Sequence, residues 1–546
     1  MKIIYNFSEK VTKFKNSKYL AFFITNNKDK IIKLLTQDKI DEVKNLKEDF
    51  FLILEDQEKK KIKIISDKYG RERLFYYLNN EKIVIADIFW NVLDKLEKDE
   101  KILDKQNFIE STLFGRPIEH QTIIKNVFVL EPSTEIIIGQ DNSIKKNNYW
   151  DFKYTNEVTD PDKMINSLDK LLEKSGKKII EKHGTNITYG IGLSCGLDSR
   201  LVIKYMLNAG AKIYPFIIGK KRPKKILLSR EHKLYKKLVR HFKLPKGEMI
   251  EYDRQSFLDK ITNDIKHYPV GPSQAIININ NFNTPFDCYL QGVMGGEIFG
   301  DFFRREGDIE KINTPQLKKI ILKNIGFNQV KSIGNLINNK VVETINKKID
   351  NFLDENKEKN NIEILQKYYF FNNLSRGKYN FFNSFYEKMP FGSFFCDHEI
   401  LNETLNWDPK YLINGQLQKE FFLKKHPELA KIRDETFYSS IKYRKNYQTY
   451  NLRNVFSLAN AFLRGKSMNL GGWIKENQKY EKVSKKILES NKEIIMDIYK
   501  KNIPEMLNLK HIAPRAYDNT IKYTLIYSLI KKNINPLKEK ELKKII

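Results

Sequence analysis

The alternation of apolar and polar residues divides the chain into a strand-rich first part, a mixed middle part and a helical last part. Short apolar runs separated by turn residues predict β-strands up to about residue 150. These runs span residues 50–54, 62–65, 74–78, 83–86, 127–130 and 135–138. Apolar residues at helical spacing between Asp160 and Lys182 then predict a helix, which Gly184 follows as a stop signal.

From residue 187 the pattern changes to strands that alternate with helices. Apolar runs at 187–193 and 213–218 predict buried strands, and amphipathic spacing predicts helices over 201–209 and near 229–242. Such alternation is typical of a parallel sheet with helices on both faces. After about Glu310 the chain is mainly amphipathic helix with polar linkers. The expected fold class is therefore α/β, and 546 residues predict at least two domains.

The stretch most informative about function is the polar loop at residues 194–199, Ser-Cys-Gly-Leu-Asp-Ser, between a predicted strand and a predicted helix. The backbone N–H groups of such a loop and the N-terminus of the helix can bind a polyphosphate. Ser194 and Ser199 can donate hydroxyl hydrogen bonds to phosphate oxygens, and Asp198 can hold Mg²⁺. No Gly-Lys-Ser/Thr follows, so this is not the P-loop of kinases and GTPases. The alternative is an ordinary helix cap at a strand-to-helix turn.

Composition mainly excludes or disfavours certain classes of protein. The net charge is +29, from 97 Lys and Arg residues against 68 Asp and Glu residues, which would suit an anionic partner. The basic residues are scattered and not interleaved with aromatic ones, which favours compositional drift over a nucleic-acid platform, with an anionic partner kept open. No apolar run reaches the roughly 18 residues of a transmembrane helix. Three widely spaced cysteines form neither a disulfide framework nor a zinc spacing, so we expect a cytoplasmic protein with free thiols.

Several motifs, in a fixed order over much of the chain, resemble the asparagine synthetase family. Residues 66–77 look like the family's Asp-Arg-x-Gly-x-x-x-Leu-Tyr-Tyr hairpin, and residues 121–150 look like the stretch that leads to its Tyr-Trp boundary. The loop at 194–199 resembles the pyrophosphate loop Ser-Gly-Gly-x-Asp-Ser. Residues 291–300 are similar to the family's Gly-x-Gly-x-Asp-Glu-x-Phe-Gly-Gly loop, and residues 378–391 to its Arg/Lys…Glu-x-Arg-x-Pro-Phe segment.

The resemblance implies a glutaminase-like β sandwich of the Ntn type over residues 1–150. Residues 151–546 would then form an adenine nucleotide alpha hydrolase-like (PP-loop) domain with a parallel sheet and a helical C-terminal region. The implied cofactors are ATP and Mg²⁺, with Asp198 and Glu297 as metal ligands. The implied nucleotide-binding residues are Leu193, Ser194, Cys195, Gly196, Leu197, Asp198, Ser199, Ile218, Gln291 and Gly292. The implied catalytic residues are Glu387, Tyr386, Lys378 and Lys442.

Two departures from the family's pattern change the expected chemistry. Lys2 stands where the family has its cysteine nucleophile, and a lysine cannot form the thioester of glutamine hydrolysis. We therefore expect the N-terminal domain to act as a scaffold without glutaminase activity. Gly296 replaces the Asp that helps Asp198 to hold Mg²⁺, and the adjacent Glu297 is the expected substitute.

A third departure concerns the catalytic glutamate of the family. Its position falls on Tyr386, with Glu387 next to it. The alternatives are a register shift that brings in Glu387, a different acid–base role for Tyr386, an altered site, and simple packing in the core. A cation is also expected at the pyrophosphate. The candidates are Arg200, Lys378, Lys442 and Lys445.

These observations predict an ATP-dependent, AMP-forming carbon–nitrogen ligase that activates a carboxylate as an acyl-adenylate for attack by ammonia or an amine. Ammonia-dependent asparagine formation, a tailoring amide synthetase and a macrolactam-forming enzyme of the lasso-peptide cyclase kind are versions of it. The expected partners are a small-molecule or peptide carboxylate, ammonia or an amine, a separate amine-supplying protein and a second copy in a homodimer. Membranes are not expected, and nucleic acid is disfavoured. Two alternatives stay open. One is a catalytically degenerate nucleotide-binding scaffold, which Gly296 and Tyr386 favour, and the other is an adenylating RNA-modification enzyme, which the positive net charge favours.

Overall fold

A computed structural model describes most of the chain. The described residues are 2–25, 27–193, 196–219, 230–251, 265–266, 285–299, 309–325, 339–371, 390–433, 478–499, 504–507 and 514–538. Within them the structure is α/β, with two sheets in the first 148 residues and a parallel sheet after residue 187. This agrees with the expected fold class.

Ten strands form the two N-terminal sheets. They are β1 (Lys2–Tyr5), β2 (Thr12–Lys15), β3 (Tyr19–Thr25), β4 (Phe50–Asp56), β5 (Lys61–Ser66), β6 (Phe75–Leu78), β7 (Lys82–Ala86), β8 (Val127–Val129), β9 (Thr134–Ile138) and β10 (Ile144–Asn148). One sheet has six antiparallel strands in the order β10-β9-β5-β4-β3-β2. The other has four strands in the order β1-β7-β6-β8, of which β1 and β7 run parallel.

The two N-terminal sheets pack face to face. Ile53 on β4 and Ile64 on β5 share one buried core with Ile83 and Ile85 on β7. Because successive side chains of a strand point to opposite faces, the neighbouring residues pack outwards. Leu52 of β4, for example, packs towards helix α1 (Lys28–Thr36) and the 3₁₀ segment Ile40–Asn45.

The outer face of the four-stranded sheet is covered as well. Val84 and Ala86 on β7 pack with helices α2 (Phe89–Leu93) and α3 (Lys105–Phe114). The first 148 residues therefore form four layers in the order helix, sheet, sheet, helix. The core on this side continues without a break into the parallel-sheet part of the chain.

The remaining strands form one five-stranded sheet in which every neighbouring pair is parallel. They are β11 (Thr188–Gly192), β12 (Lys212–Gly219), β13 (Met249–Glu251), β14 (Cys288–Gln291) and β15 (Phe391–Ser393), in the order β13-β12-β11-β14-β15. The first strand in sequence is thus the central one. The chain leaves it to one side through β12 and β13, and to the other side through β14 and β15. The gap between β11 and β14 is a topological switch point, where open α/β sheets bind ligands beyond the carboxyl ends of the strands.

Helices make up most of the rest of the described residues. They are α4 (Pro161–His183), α5 (Leu197–Asn208), α6 (Arg230–His241), α7 (Gly295–Ile298), α8 (Thr314–Asn324), α9 (Asn339–Glu355), α10 (Asn361–Tyr369), α11 (His398–Leu405), α12 (Gln416–Lys425), α13 (Pro427–Ala430), α14 (Gln478–Ser490), α15 (Lys492–Tyr499) and α16 (Pro514–Lys531). The predicted helices at 160–182 and 229–242 correspond to α4 and α6. Helix α4 begins after the N-cap Asp160, whose side chain accepts a hydrogen bond from the Asp162 amide, and it ends at Gly184. No helix in the described ranges has the length and apolarity needed to cross a bilayer.

Candidate functional site

The candidate site lies at the carboxyl ends of β11 and β14, on the two sides of the switch point. From β11 the chain passes into helix α5, and from β14 it passes into the one-turn helix α7. The N-cap of α5 is Gly196, which has no side chain with which to cap the helix. The N-terminus of this twelve-residue helix, with the positive end of its dipole, therefore adjoins the crevice between the two strands.

Asp198, in the first turn of α5, lies directly against the loop that follows β14. A methyl group added at Gly295 would lie 2.6 Å from Cγ and 2.8 Å from Oδ1 of Asp198. A methyl group added at Gly292 would lie 3.3 Å from Asp198 Cβ. The carboxylate thus packs on the backbone of the loop, at a place where the absence of a side chain makes room for it. The two motifs, which the chain places almost one hundred residues apart, meet at this carboxylate.

Glu297 follows two residues later in α7 and is only 6% exposed. Its Oε1 accepts a hydrogen bond of 2.9 Å from the Tyr369 hydroxyl, at the end of α10. Gln366 of the same helix donates to the backbone carbonyl of Glu297 over 3.5 Å. Helix α10 therefore fixes the position of α7. Asp198 and Glu297 bring two carboxylates to one loop, and carboxylate oxygens are the hard donors that suit Mg²⁺.

Met294 is a part of this loop that sequence reasoning did not single out. It is the N-cap of α7, with a φ of +78° and a side chain that is 3% exposed. A residue with a Cβ costs about 1–2 kcal/mol in this left-handed region. The signal that could have identified Met294 is the Gly-x-Gly of the asparagine synthetase pattern, because Met294 stands in this chain where that pattern has its second glycine. Gly296, at the family's Asp position, is buried in α7.

The structure also describes predicted nucleotide-binding residues in the first turn of α5 and at the carboxyl ends of β11 and β12. Ser199 donates from Oγ to the carbonyl of Gly196 over 3.2 Å, so its hydroxyl braces the loop. Leu193 is buried and donates from its amide to Phe216 of β12. Ile218 lies in β12 beside Ile250 of β13.

Gln291 ends β14 and is 6% exposed. Its backbone carbonyl accepts a hydrogen bond of 3.2 Å from the Phe394 amide, just beyond β15. Its side-chain Oε1 is buried and has no hydrogen-bond partner among the described residues. A buried acceptor without a donor is unfavourable by about 1–3 kcal/mol. A ligand with an amino group, such as adenine, would satisfy it.

Arg200 was a candidate for the cation beside a pyrophosphate, but its side chain points into the protein. Its guanidinium is fully buried and donates to the backbone carbonyls of Leu429, Ile432 and Arg433. These carbonyls lie in α13 and the turn after it. Arg200 therefore anchors the first turn of α5, which carries Asp198, to that segment.

Six of the predicted site residues fall outside the described ranges. They are Ser194, Cys195, Lys378, Tyr386, Glu387 and Lys442, and the further candidate Lys445 falls there too. The predictions about the catalytic glutamate and the catalytic cations therefore stay predictions.

A second cluster of titratable residues joins the N-terminal sheets to this site. Potential ligand atoms of Asp49, Asp67 and His398 lie within 4.8 Å of one another. His398 Nε2 is 3.0 Å from Asp49 Oδ1, and Arg71 forms an ion pair with Asp49. Burial opposes ionisation of Asp49, but the positive charge of Arg71 and the hydrogen bond with His398 hold the pKa of its carboxyl below the ordinary range. The positive charge in this cluster is thus supplied by the Arg71 side chain.

The same cluster connects the N-terminal sheets to the loop after β14. Arg71 donates from Nη1 to the carbonyl of Cys396 over 2.5 Å. Cys396 Sγ in turn lies 3.8 Å from the carbonyl of Val293, within the loop that contacts Asp198. The turn after β5 therefore supports the candidate site from outside the parallel sheet.

Comparison with known proteins adds little to this geometry. No protein-family profile matches the chain, and no curated protein matches it. Among solved structures, the chain is similar to glutamine phosphoribosylpyrophosphate amidotransferase from B. subtilis, in a complex with ADP and GMP. The alignment has 9% identity and a TM-score of 0.18, and covers 50% of this chain and 76% of that chain. So distant a similarity to an amidotransferase carries no argument, and the site rests on the contacts described above.

Proposed function

We propose that this chain is an ATP-dependent, AMP-forming amide synthetase of the asparagine synthetase type, built on a PP-loop fold. The observation that carries the proposal is the position of the Asp198 carboxylate, at the switch point of the parallel sheet and against Gly295. A carboxylate beside a helix N-terminus suits a magnesium nucleotide, because the carboxylate can hold Mg²⁺ and the helix N-terminus can bind phosphate. The first turn of α5, which follows the central strand β11, has both features.

In the proposed reaction a carboxylate oxygen of the acyl substrate attacks the α-phosphorus of ATP, and pyrophosphate leaves. An amine nitrogen then attacks the acyl carbon and loses a proton, and AMP leaves as the acyl carbon–oxygen bond breaks. The N-terminus of α5 would bind the phosphates, and Asp198 and Glu297 would hold Mg²⁺. When bound, Mg²⁺ neutralises charge on the departing pyrophosphate. Gln291 would accept a hydrogen bond from the adenine amino group.

The amine would come from outside the N-terminal sheets. Lys2 is an exposed residue of β1, where it pairs with Lys82 of β7. The cysteines within the described ranges, Cys288 and Cys396, are both buried. Burial raises the pKa of the Cys288 thiol to about 12, which leaves it protonated and a poor nucleophile. These features support free ammonia or an amine as the nitrogen donor.

The test is to incubate the purified chain with α-labelled ATP, Mg²⁺, pooled carboxylates and pooled amines, and to measure AMP and pyrophosphate. The informative variant is Asp198→Asn. Its matched control is Asp287→Asn, at the opposite end of the sheet, where the Thr188 amide donates to the Asp287 carboxylate over 2.8 Å and can donate equally to an amide oxygen. We expect AMP and pyrophosphate in equal amounts, unchanged in the control and reduced on the order of 100-fold in Asp198→Asn.

Three results would contradict the proposal. Release of ADP and phosphate would mean a different phosphoryl transfer. Nucleotide binding without turnover of any pooled substrate would favour the degenerate scaffold. AMP release that depends on added RNA would favour RNA modification.

A further inference from the structure

The positive charge of the chain is concentrated in one stretch. Residues 220–246 contain twelve Lys and Arg residues and a single acidic residue, Glu231. At the ratio of the whole chain, 97 basic to 68 acidic residues, thirteen charged positions would include about five acidic ones. Compositional drift acts on all positions alike, so it does not account for this local excess.

Helix α6 lies within this stretch and turns its basic side to solvent. Its apolar side packs on β12, where Leu238 is fully buried and the Tyr235 hydroxyl donates to the Pro215 carbonyl over 3.2 Å. The outer face of α6 consists of its exposed residues, which are Lys233, Lys236, Lys237, Arg240 and His241. From Lys233 to the end of the helix, this face therefore carries neither an acidic nor an apolar side chain.

The four cations of the outer face have no counter-charge in the part of the chain that the structure describes. Neither they nor Lys243 and Lys246, which follow the helix and are also exposed, form an ion pair with a described residue. The only acidic residue in 233–248 is Glu248, which comes last. On α4, by contrast, the exposed Lys174 lies 2.7 Å from Glu399. The basic face of α6 is thus uncompensated by the protein.

The spacing of these cations is unfavourable for the helix by itself. Lys233 is three and four residues from Lys236 and Lys237, and Arg240 is four and three residues from the same two lysines. Side chains at these spacings are neighbours on a helix, and like charges there repel. An anionic partner with closely spaced charges would relieve this repulsion.

The density of the cations indicates which anionic partner fits. From Lys233 to Arg240 four cations lie along about 10 Å of helix, roughly one per 3 Å. A nucleic acid duplex carries one phosphate charge per roughly 1.7 Å of its axis. An extended acidic peptide is sparser, because it presents a side chain to one face only about every 6.6 Å.

Other features of the helix exclude further partners. Insertion into a bilayer needs an exposed apolar side, and the apolar side of α6 is packed on β12. Binding of a single strand relies on bases that stack on aromatic rings. The outer face of α6, as the structure describes it, has no exposed Phe, Tyr or Trp. A duplex is therefore favoured over a membrane or a single strand.

We propose that the outer face of α6 binds the phosphate backbone of a nucleic acid duplex, RNA or DNA. Lys233, Lys236, Lys237 and Arg240 are the residues that contact phosphate. Contacts to phosphate carry no sequence information, so the binding is independent of base sequence. It goes beyond the amide synthetase function proposed above and needs neither ATP nor Mg²⁺.

The test is fluorescence anisotropy of the full chain with labelled duplexes of about 20 base pairs, one of RNA and one of DNA, between about 50 and 200 mM salt. We expect the logarithm of the association constant to fall with the logarithm of salt concentration, with a slope of about −4. The triple change Lys233→Gln, Lys236→Gln and Lys237→Gln should weaken binding at least about tenfold and make the slope shallower by about 3. Arginine at the same three positions should preserve binding.

The matched control removes three exposed lysines from α4, by Lys163→Gln, Lys170→Gln and Lys177→Gln. Both triple variants have the same net charge, so a difference between them measures position and not overall charge. We expect the control to bind within about twofold of the unmodified chain.

Binding of either duplex with loss only in the α6 variant supports the proposal, and the tighter duplex identifies the source of the phosphates. Failure of both duplexes to bind at about 50 mM salt, equal losses in the α4 and α6 variants, or tighter binding of a labelled polyglutamate peptide would each overturn it. Since ATP is absent from the titration, none of these results bears on AMP formation.

Discussion

Replacing Gly295 by alanine tests the central contact of the candidate site. The new Cβ would lie 2.6 Å from Asp198 Cγ and 2.9 Å from Asp198 Cβ. Carbon atoms in contact normally stay about 3.5–4.0 Å apart, so the two groups must separate by about 1 Å. Rotation of the carboxylate alone does not relieve the contact with Cβ. The first turn of α5 and the loop after β14 must therefore move apart.

The effects on stability and on activity are expected to differ in size. Overpacking of this kind costs about 1–3 kcal/mol. The better helix propensity of alanine at the first position of α7 offsets about 0.5–1 kcal/mol of this cost. We therefore expect Gly295→Ala to lower the free energy of unfolding by at most about 2.5 kcal/mol. A displacement of about 1 Å at a catalytic group reduces turnover roughly 100-fold.

Gly292→Ala is the matched control in the same loop. Its Cβ would lie 3.3 Å from Asp198 Cβ and 3.5 Å from Val202 Cγ2, which a shift of a few tenths of an ångström accommodates. The assays are urea unfolding, calorimetric titration with magnesium ATP, and AMP formation. Gly292→Ala should retain near-normal affinity and activity, whereas Gly295→Ala should lose both.

Two results would refute this reasoning. If Gly295→Ala is less stable but binds magnesium ATP as the unmodified chain does, the contact with Asp198 is packing and not part of a metal site. If Gly292→Ala is the more damaging change, the carboxylate does not lie where the structure places it.

Two further predictions concern residues that support the site. Burial, with neighbouring Asp49 and Asp67, raises the pKa of the Glu72 carboxyl to about 7, so the folded state loses stability as pH rises from the ordinary glutamate range through this value. Glu72→Gln should therefore stabilise the chain by about 1–2 kcal/mol more at pH 8 than at pH 5.5 in urea unfolding, and a pH-independent difference would contradict this. Arg200→Met removes a donor from the carbonyls of Ile432 and Arg433, whereas the Leu429 carbonyl keeps the Ile432 amide, and it should lower the free energy of unfolding by about 2–4 kcal/mol. The exposed Arg240→Met on α6 is its control, and equal stability of the two variants would exclude an anchoring role for Arg200.

Local pattern was sufficient to predict elements whose residues alternate or repeat clearly. Strands β4 and β5 follow from short apolar runs separated by turn residues, and α4 follows from its apolar stripe, the N-cap Asp160 and the stop at Gly184. Strand β10 was missed because Ile144 is its one apolar residue, and it is a strand because its backbone pairs with β9. The sequence did not predict helix α3, because its buried residues are polar as well as apolar and it therefore has no amphipathic stripe.

The sequence alone predicts a phosphate-binding loop at 194–199 and a glycine loop after residue 291, because backbone freedom and carboxylates at close spacing leave a local signature. Only the tertiary structure decided that these loops meet, with Asp198 against Gly295. The reason is strand order, because β14 pairs beside β11 although β12 and β13 come between them in the chain. The inward direction of Arg200 and the hydrogen bond from Tyr369 to Glu297 depend on the same through-space arrangement, which no local pattern encodes.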